Sequence, residues 1–291
     1  MSAARLRLGG RELDLARGVV MAIVNRTPDS FYARARFDDD EAALEAVAQA
    51  VAEGAEIVDV GGVRAGRGPE VSVAEEVERV VPLVAAVRER FPDLVLSVDT
   101  WRAEVAREAA AAGADLVNDT WAGHDPRLLE VAAEEGLGVV VSHTGGAVPR
   151  TDPLRVHHAR GVVEEVVDHL AAGAARAVAA GVDPAAVLVD PTHDFGKNTW
   201  HSLELVRHTH RIVALGHPVL MAFSRKDFVG ETLGLPVDDR LEGTLAATAV
   251  AAWQGAGVFR AHDVAATRRT LDMVAAIRGD LAPWRAVRGL A

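Results

Sequence analysis

Apolar positions fall into two alternating patterns along this chain. Short unbroken runs, such as residues 19–24 and 187–189, carry no polar interruption, as expected of strands buried on both faces of a parallel sheet. Longer segments between them repeat Ala, Leu and Val at helical spacing, beginning with 38–52, where acidic residues lead and Gly54 follows. The cycle recurs as strand 57–60 and helix 75–90, strand 94–98 and helix 103–112, strand 115–117 and helix 126–136. It continues as strand 139–141 and helix 162–181, strand 187–189 and helix 203–215, strand 218–223 and helix 241–254, and strand 257–259 and helix 265–278. About eight strand–helix units in close succession predict an α/β fold, a closed (β/α)8 TIM barrel rather than an open sheet. Residues 5–15 alternate around Gly9-Gly10 and predict an N-terminal β-hairpin. No linker or low-complexity segment divides the chain, so one domain over 1–291 is expected.

Composition narrows the class. Of 291 residues, 49% are hydrophobic but only 4% aromatic, so the core is aliphatic. The net charge of −11 argues against a general nucleic-acid or anionic-membrane binder. With no Cys there is neither a disulfide framework nor a thiolate metal site. No stretch reads as a signal peptide or membrane span, so a cytoplasmic protein is expected.

Each predicted strand closes on a polar group: Asn25, Asp59, Asp99, Asn118 with Asp119, His143, Asp190, Lys226, and Arg260 with His262. In a barrel of this kind, the carboxyl ends of the strands carry the active face. Asp59 and Asp119 could equally cap loops or pair with basic neighbours, and His143 alone would suit a core. Together the set points to a ligand site. Asp99, Asn118 and Asp190 offer acceptors for a donor-rich heterocycle. Lys226 can meet a carboxylate or ring carbonyl, and Arg260 and His262 leave one side of an extended segment and suit an anion. Asn25 could hold a metal-bound oxygen.

These residues sit in motifs that resemble dihydropteroate synthase. The matching stretches are NRTPDSF at 25–31, DVGG at 59–62, SVDTWRAEVA at 97–106, AGADLVND at 112–119, DP and FGK within 190–197, SRKDFVG at 224–230, RLEGTLA at 240–246 and RAHDV at 260–264. The resemblance implies a transferase that joins 4-aminobenzoate to 6-hydroxymethyl-7,8-dihydropterin diphosphate and releases pyrophosphate with Mg²⁺, in a homodimer. It implies that Asp99, Asn118, Asp190 and Lys226 hold the pterin, with Asp99, Asp190 and Lys226 as the catalytic set. Asn25, Arg260 and His262 hold the diphosphate, Asn25 through the metal, with His262 as a cation. Phe195, in the FGK motif, belongs to the substrate-binding set, and Ser224 and Lys226 lie near the aminobenzoate.

The chain also departs from the family pattern. The usual GGESTRPG is GGVRAGRG at 61–68, where Arg64 or Arg67 would have to replace what Ala65 and Gly66 cannot supply. MHMRG becomes SHTGG at 142–146, DPGIGFGK becomes DPTHDFGK at 190–197, and Arg26 replaces a Val. His193 and Asp194 could form a local pair or meet a more polar substrate. In these places the chain resembles a divergent second paralogue of the family, which implies lost or altered activity. Two readings are therefore carried forward. One is a working synthase. The other is a divergent paralogue that binds another pterin or diphosphate ligand, or acts as a non-catalytic partner.

Overall fold

The computed structural model describes residues 5–26, 40–64, 66, 68–149 and 157–288. Strands β1 (Leu6–Leu8) and β2 (Arg11–Leu13) form the expected antiparallel hairpin. The barrel strands are β3 (Val19–Asn25), β4 (Ile57–Gly61), β5 (Val95–Asp99), β6 (Leu116–Asp119), β7 (Gly138–Ser142), β8 (Val187–Asp190), β9 (Leu220–Met221) and β10 (Val258–Ala261). They pair in parallel in the order β8-β7-β6-β5-β4-β3-β10-β9. A bridge between Val189 and Val219, with the Val189 N–H donating to the Pro218 carbonyl at 3.0 Å, brings β9 back to β8 and closes the ring.

Helices α1 (Asp40–Ala52), α2 (Val73–Arg90), α3 (Ala103–Ala111), α4 (Leu128–Glu134) and α5 (Val162–Ala179) follow the early strands. The later ones are α6 (Thr199–Arg207), α7 (Thr209–Val213), α8 (Asp227–Leu233), α9 (Leu241–Trp253) and α10 (Val264–Arg278). The single helix expected over 203–215 is two, broken at His208, whose backbone at φ −112° and ψ 22° leaves the helical region. Helix α8 was not foreseen, because seven residues hold too little periodicity to register. It starts directly after Lys226 and so affects where that side chain stands.

Strand geometry sorts the core into two layers, since successive side chains point to opposite faces. Val20, Ala22, Val58, Val60, Leu96, Val98, Val187, Val189 and Phe259 face outward into the layer shared with the helices. Val19, Met21, Ile57, Val95, Leu116, Leu188, Leu220 and Val258 face inward and form a plug in the amino-terminal half of the barrel. Leu6 and Leu8 of the hairpin join that plug and seal the barrel floor. Leu8 comes so close to Gly138 that a Cβ there would lie 2.3 Å from its Cδ2, so only glycine fits. None of the helices is long and apolar enough to cross a membrane, among the described residues.

Candidate functional site

The inward columns of the strands run from the apolar plug straight into polar groups. Val95, Ser97 and Asp99 form one column, and Leu116, Asn118 and Thr120 the next. Leu188 leads to Asp190 and Thr192, Leu220 to Ala222 and Ser224, Val258 to Arg260 and His262, and Met21 to Ile23 and Asn25. The alternation that buries the first residue of each column aims its second or third into a common space. That space is a cavity of about 440 Å³ at the carboxyl ends of the strands. Its walls include every residue expected to bind substrate: Asn25, Asp99, Asn118, Asp190, Phe195, Ser224, Lys226, Arg260 and His262.

Arg260 organises one side. Its Nε donates to Asp59 Oδ2 at 2.6 Å, and its Nη2 donates to Asp99 Oδ2 at 3.0 Å. Asp59 is fully buried and also accepts from Ser97 Oγ at 2.6 Å and Asn118 Nδ2 at 3.1 Å. Of the two roles open to Asp59, pairing with a basic neighbour is the one observed, and it fixes both Arg260 and Asn118. Asp99 accepts from Thr120 Oγ1 at 3.1 Å as well. Burial pushes the Asp99 carboxyl up to about 7, with Arg260 opposing that rise and Asp59 adding to it. It therefore stands ready to trade a proton, or to ionise fully when a ligand donates to it.

Across the cavity stand Asp190 and Lys226. Burial pushes Asp190 up against the opposing charge of Lys226, and pushes Lys226 down against Asp194 and Asp190. One Asp190 oxygen accepts the Thr192 N–H at 2.7 Å. Lys226 Nζ donates to the His193 carbonyl at 2.6 Å and lies 5.3 Å from the centre of the Phe195 ring. Phe195 meets Trp121 edge-on at 5.3 Å between ring centres, giving the cavity an aromatic wall.

Ser224 Oγ lies 2.8 Å from His262 Nδ1 and accepts the His262 N–H at 3.1 Å. Burial, with Arg260 and Arg225 nearby, lowers His262 to about 3. Burial is the main cause, and it favours the neutral imidazole; an anion held against His262 and Arg260 would favour the cation instead.

Other strand-end residues lie elsewhere. Asp119 points outside the cavity and accepts the N–H groups of Trp121 at 2.9 Å and Gly123 at 2.6 Å, capping its own loop. His143 is buried behind the floor, where its carbonyl accepts from Lys197 Nζ at 2.7 Å. His193 turns away from the cavity and packs against Phe223 at 4.7 Å and Phe228 at 5.6 Å between ring centres. It makes no pair with Asp194, which instead caps α8 by accepting the Asp227 N–H at 2.7 Å. Arg64 and Gly66 line the cavity, whereas Ala65, Arg67 and the part of the first motif at 27–31 lie outside the described residues.

Several wall residues were not anticipated. Thr120 and Thr192 continue inward columns by two residues and could have been found by that rule alone. Trp121 carries no comparable signal. Lys197, buried under the floor, donates to the carbonyls of His143, Thr192 and Phe195.

A pterin binding enzyme family model matches residues 21–262 of this chain, a span that takes in the barrel strands from Met21 of β3 onward and the whole cavity wall. The chain belongs to that family. It is 59% identical over 287 residues to "Inactive dihydropteroate synthase 2" of Mycobacterium leprae, covering 98% of this chain and 99% of that protein. It is 39% identical to the dihydropteroate synthase of Haemophilus influenzae, covering 90% of this chain and 95% of that one. Among solved structures, Yersinia pestis dihydropteroate synthase with a sulfonamide drug complex superposes with a TM-score of 0.88 at 37% identity, covering 94% of this chain and 99% of that one. The barrel and its family are thus established together, and the departures at 142–146 and 190–197 lie within a retained frame.

Proposed function

We propose that this chain is a divergent dihydropteroate synthase paralogue that keeps a pterin-type binding cavity but does not condense 4-aminobenzoate with 6-hydroxymethyl-7,8-dihydropterin diphosphate. One observation carries this reading: Asp99, Asn118 and Asp190 still converge with Lys226 on one cavity, while the floor segment beside them has been rebuilt. Three acceptors and one ammonium suit the amino and ring N–H donors and the ring carbonyl of a pterin. The name of the Mycobacterium leprae relative supports the loss of synthase activity.

Asn25 and Arg260 line the side where a diphosphate would lie. Mg²⁺ fits there only together with such a ligand. Asn25 offers one neutral oxygen, and no cluster of three or more metal-ligating side chains stands among the described residues. Bound in that way, Mg²⁺ would neutralise pyrophosphate as it leaves. Homodimerisation is part of the same reading. The neighbouring helices α9 and α10 each expose an apolar pair, Val250 with Trp253 and Met273 with Ile277, such as a second copy would cover. A cytoplasmic location is in keeping with folate chemistry.

The working-synthase reading draws on the retained set of Asp99, Asn118, Asp190, Lys226, Arg260 and His262. A turnover assay separates the two. With purified protein, Mg²⁺, pterin diphosphate and 4-aminobenzoate, the expected result is no dihydropteroate above background at high protein concentration. Hydroxymethylpterin should bind in calorimetry, with affinity falling at least tenfold in Asp190→Asn. Product formation would overturn the inactive reading; absence of pterin binding would overturn the cavity assignment.

A further inference from the structure

The family's floor segment carries glycine at the two positions held here by Thr192 and Asp194. The backbone nevertheless keeps glycine-like angles there, with φ of 51° at Thr192 and 70° at Asp194. Side chains at such angles are strained, and for a β-branched threonine the conformation is a clear outlier. Strain of this kind persists where the added side chains are held by their surroundings. Thr192 Oγ1 accepts the His143 N–H at 3.3 Å and donates to the Asp190 carbonyl at 3.0 Å. Asp194 lines the cavity, and its Oδ2 accepts the N–H groups of Asp227 at 2.7 Å and Phe228 at 3.4 Å. Its Oδ1 accepts from Ser202 Oγ at 3.3 Å, so the carboxylate is fixed from both oxygens and cannot swing aside.

The cations on this wall already have acceptors or carboxylates nearby. Lys226 Nζ donates to the His193 carbonyl at 2.6 Å and lies in the field of Asp194 and Asp190. Arg225 makes a two-pronged pair with Asp263 at 3.0 Å through each nitrogen, and Arg240 donates to Asp227 at 2.8 Å. Ser224 is engaged with His262. A benzoate brought beside Lys226 would set a third carboxylate next to buried Asp190 and half-buried Asp194, where solvent screens the repulsion only in part.

We propose that Asp194 determines specificity on the Lys226 side of the cavity. It shuts out arylcarboxylates and selects an aromatic ligand that presents a neutral or cationic hydrogen-bond donor there. This rests on the reading that the deep half of the cavity holds a pterin. Asp194 thereby supplies a physical cause for the missing condensation, since the second substrate of the family carries a carboxylate.

The test compares 4-aminobenzoate with its neutral isostere 4-aminobenzamide, with and without hydroxymethylpterin, by calorimetry on the full chain. The wild-type protein should bind the amide at least tenfold more tightly than the benzoate. Asp194→Gly, which suits the local φ, should erase or reverse that preference. Asp194→Asn, which keeps the shape and removes the charge, should shift it in the same direction by less. Hydroxymethylpterin is titrated separately into the wild-type chain, which reads the deep half of the cavity independently of the amide-to-benzoate ratio. Benzoate binding wild type as tightly as the amide overturns the proposal, as does an unmoved ratio in both variants or failure of either ligand to bind any form. Failure of hydroxymethylpterin alone would sink the pterin reading, while the amide-to-benzoate ratio would still judge Asp194.

Discussion

Asp59 is the residue whose removal should harm this structure most for its size. It is fully buried and receives three donors: Arg260 Nε at 2.6 Å, Ser97 Oγ at 2.6 Å and Asn118 Nδ2 at 3.1 Å. Asp59→Ala would leave all three without their acceptor. Charged hydrogen bonds contribute about 1.5–3 kcal/mol each, so simple addition gives an upper bound of roughly 5–9 kcal/mol. The real loss is smaller, because Arg260 keeps Asp99 and the hydroxyl can rotate to another acceptor. Breaking one side of a buried ion pair costs roughly 3–5 kcal/mol, and that is the expected figure. In a chain of this size it lowers the melting temperature by roughly 6–10 °C. Asp59→Asn, whose one oxygen can stand in for Oδ2 and accept from Arg260 and Asn118 while its amide nitrogen donates to a rotated Ser97 hydroxyl, should cost about half as much. Urea denaturation followed by circular dichroism gives both values. A loss below about 1 kcal/mol for the alanine variant would show that Asp99 alone suffices to hold Arg260, and that Asp59 is not the anchor of this wall.

Three further outcomes follow from the same geometry. Asp99, raised to about 7 from 3.8, gives stability that is fully present below about pH 4 and is lost as pH rises through about 7. A ligand that donates to Asp99 needs the ionised form, so hydroxymethylpterin affinity should climb as pH rises to about 7 and then level off; a flat profile, or the same profile in Asp99→Asn, would refute this. Lys197→Met strips the donor from three carbonyls under the floor and should cost about 2–4 kcal/mol in urea denaturation; an unchanged midpoint would mean those carbonyls find other donors. Ala122→Gly, at a φ of 57°, should stabilise by about 0.5–1 kcal/mol, and a loss of stability would show that the methyl group there is packed rather than strained.

The barrel was legible because burial on both faces erases alternation and leaves unbroken apolar runs, which few other folds demand. The cavity wall was legible for a related reason: in a column such as Val258, Arg260 and His262, a two-residue step carries the chain from plug to site. That Asp59 could pair with a base was legible, but which base was not, since Arg260 lies 201 residues away and only barrel closure brings them together. The surroundings of His262 were hidden for the same reason, since its burial and its neighbours Arg260 and Arg225 arise only from the closed barrel. His193 was misplaced because nothing local reveals that its ring fits between Phe223 and Phe228. Helix α8 escaped notice through its brevity, yet its first N–H groups are what position Asp194.

The two altered segments are in fact one contact. Thr192 Oγ1 reaches the His143 N–H, and Lys197 Nζ bridges the carbonyls of His143 and Thr192. Gly196 lies so tightly against Thr144 that a Cβ would sit 2.0 Å from its carbonyl oxygen. A change of side chain at 192 therefore acts on a segment with no slack against 143–145. Close-packed surfaces of this kind shift together or not at all, and residues in direct contact do not change independently in energy. Thr144 and Gly145, in place of the family's Met and Arg, meet the altered segment at Gly196. The changes at 142–145 and at Thr192 are thus coupled parts of one cavity floor, whereas Asp194 is held separately by Ser202 and the start of α8.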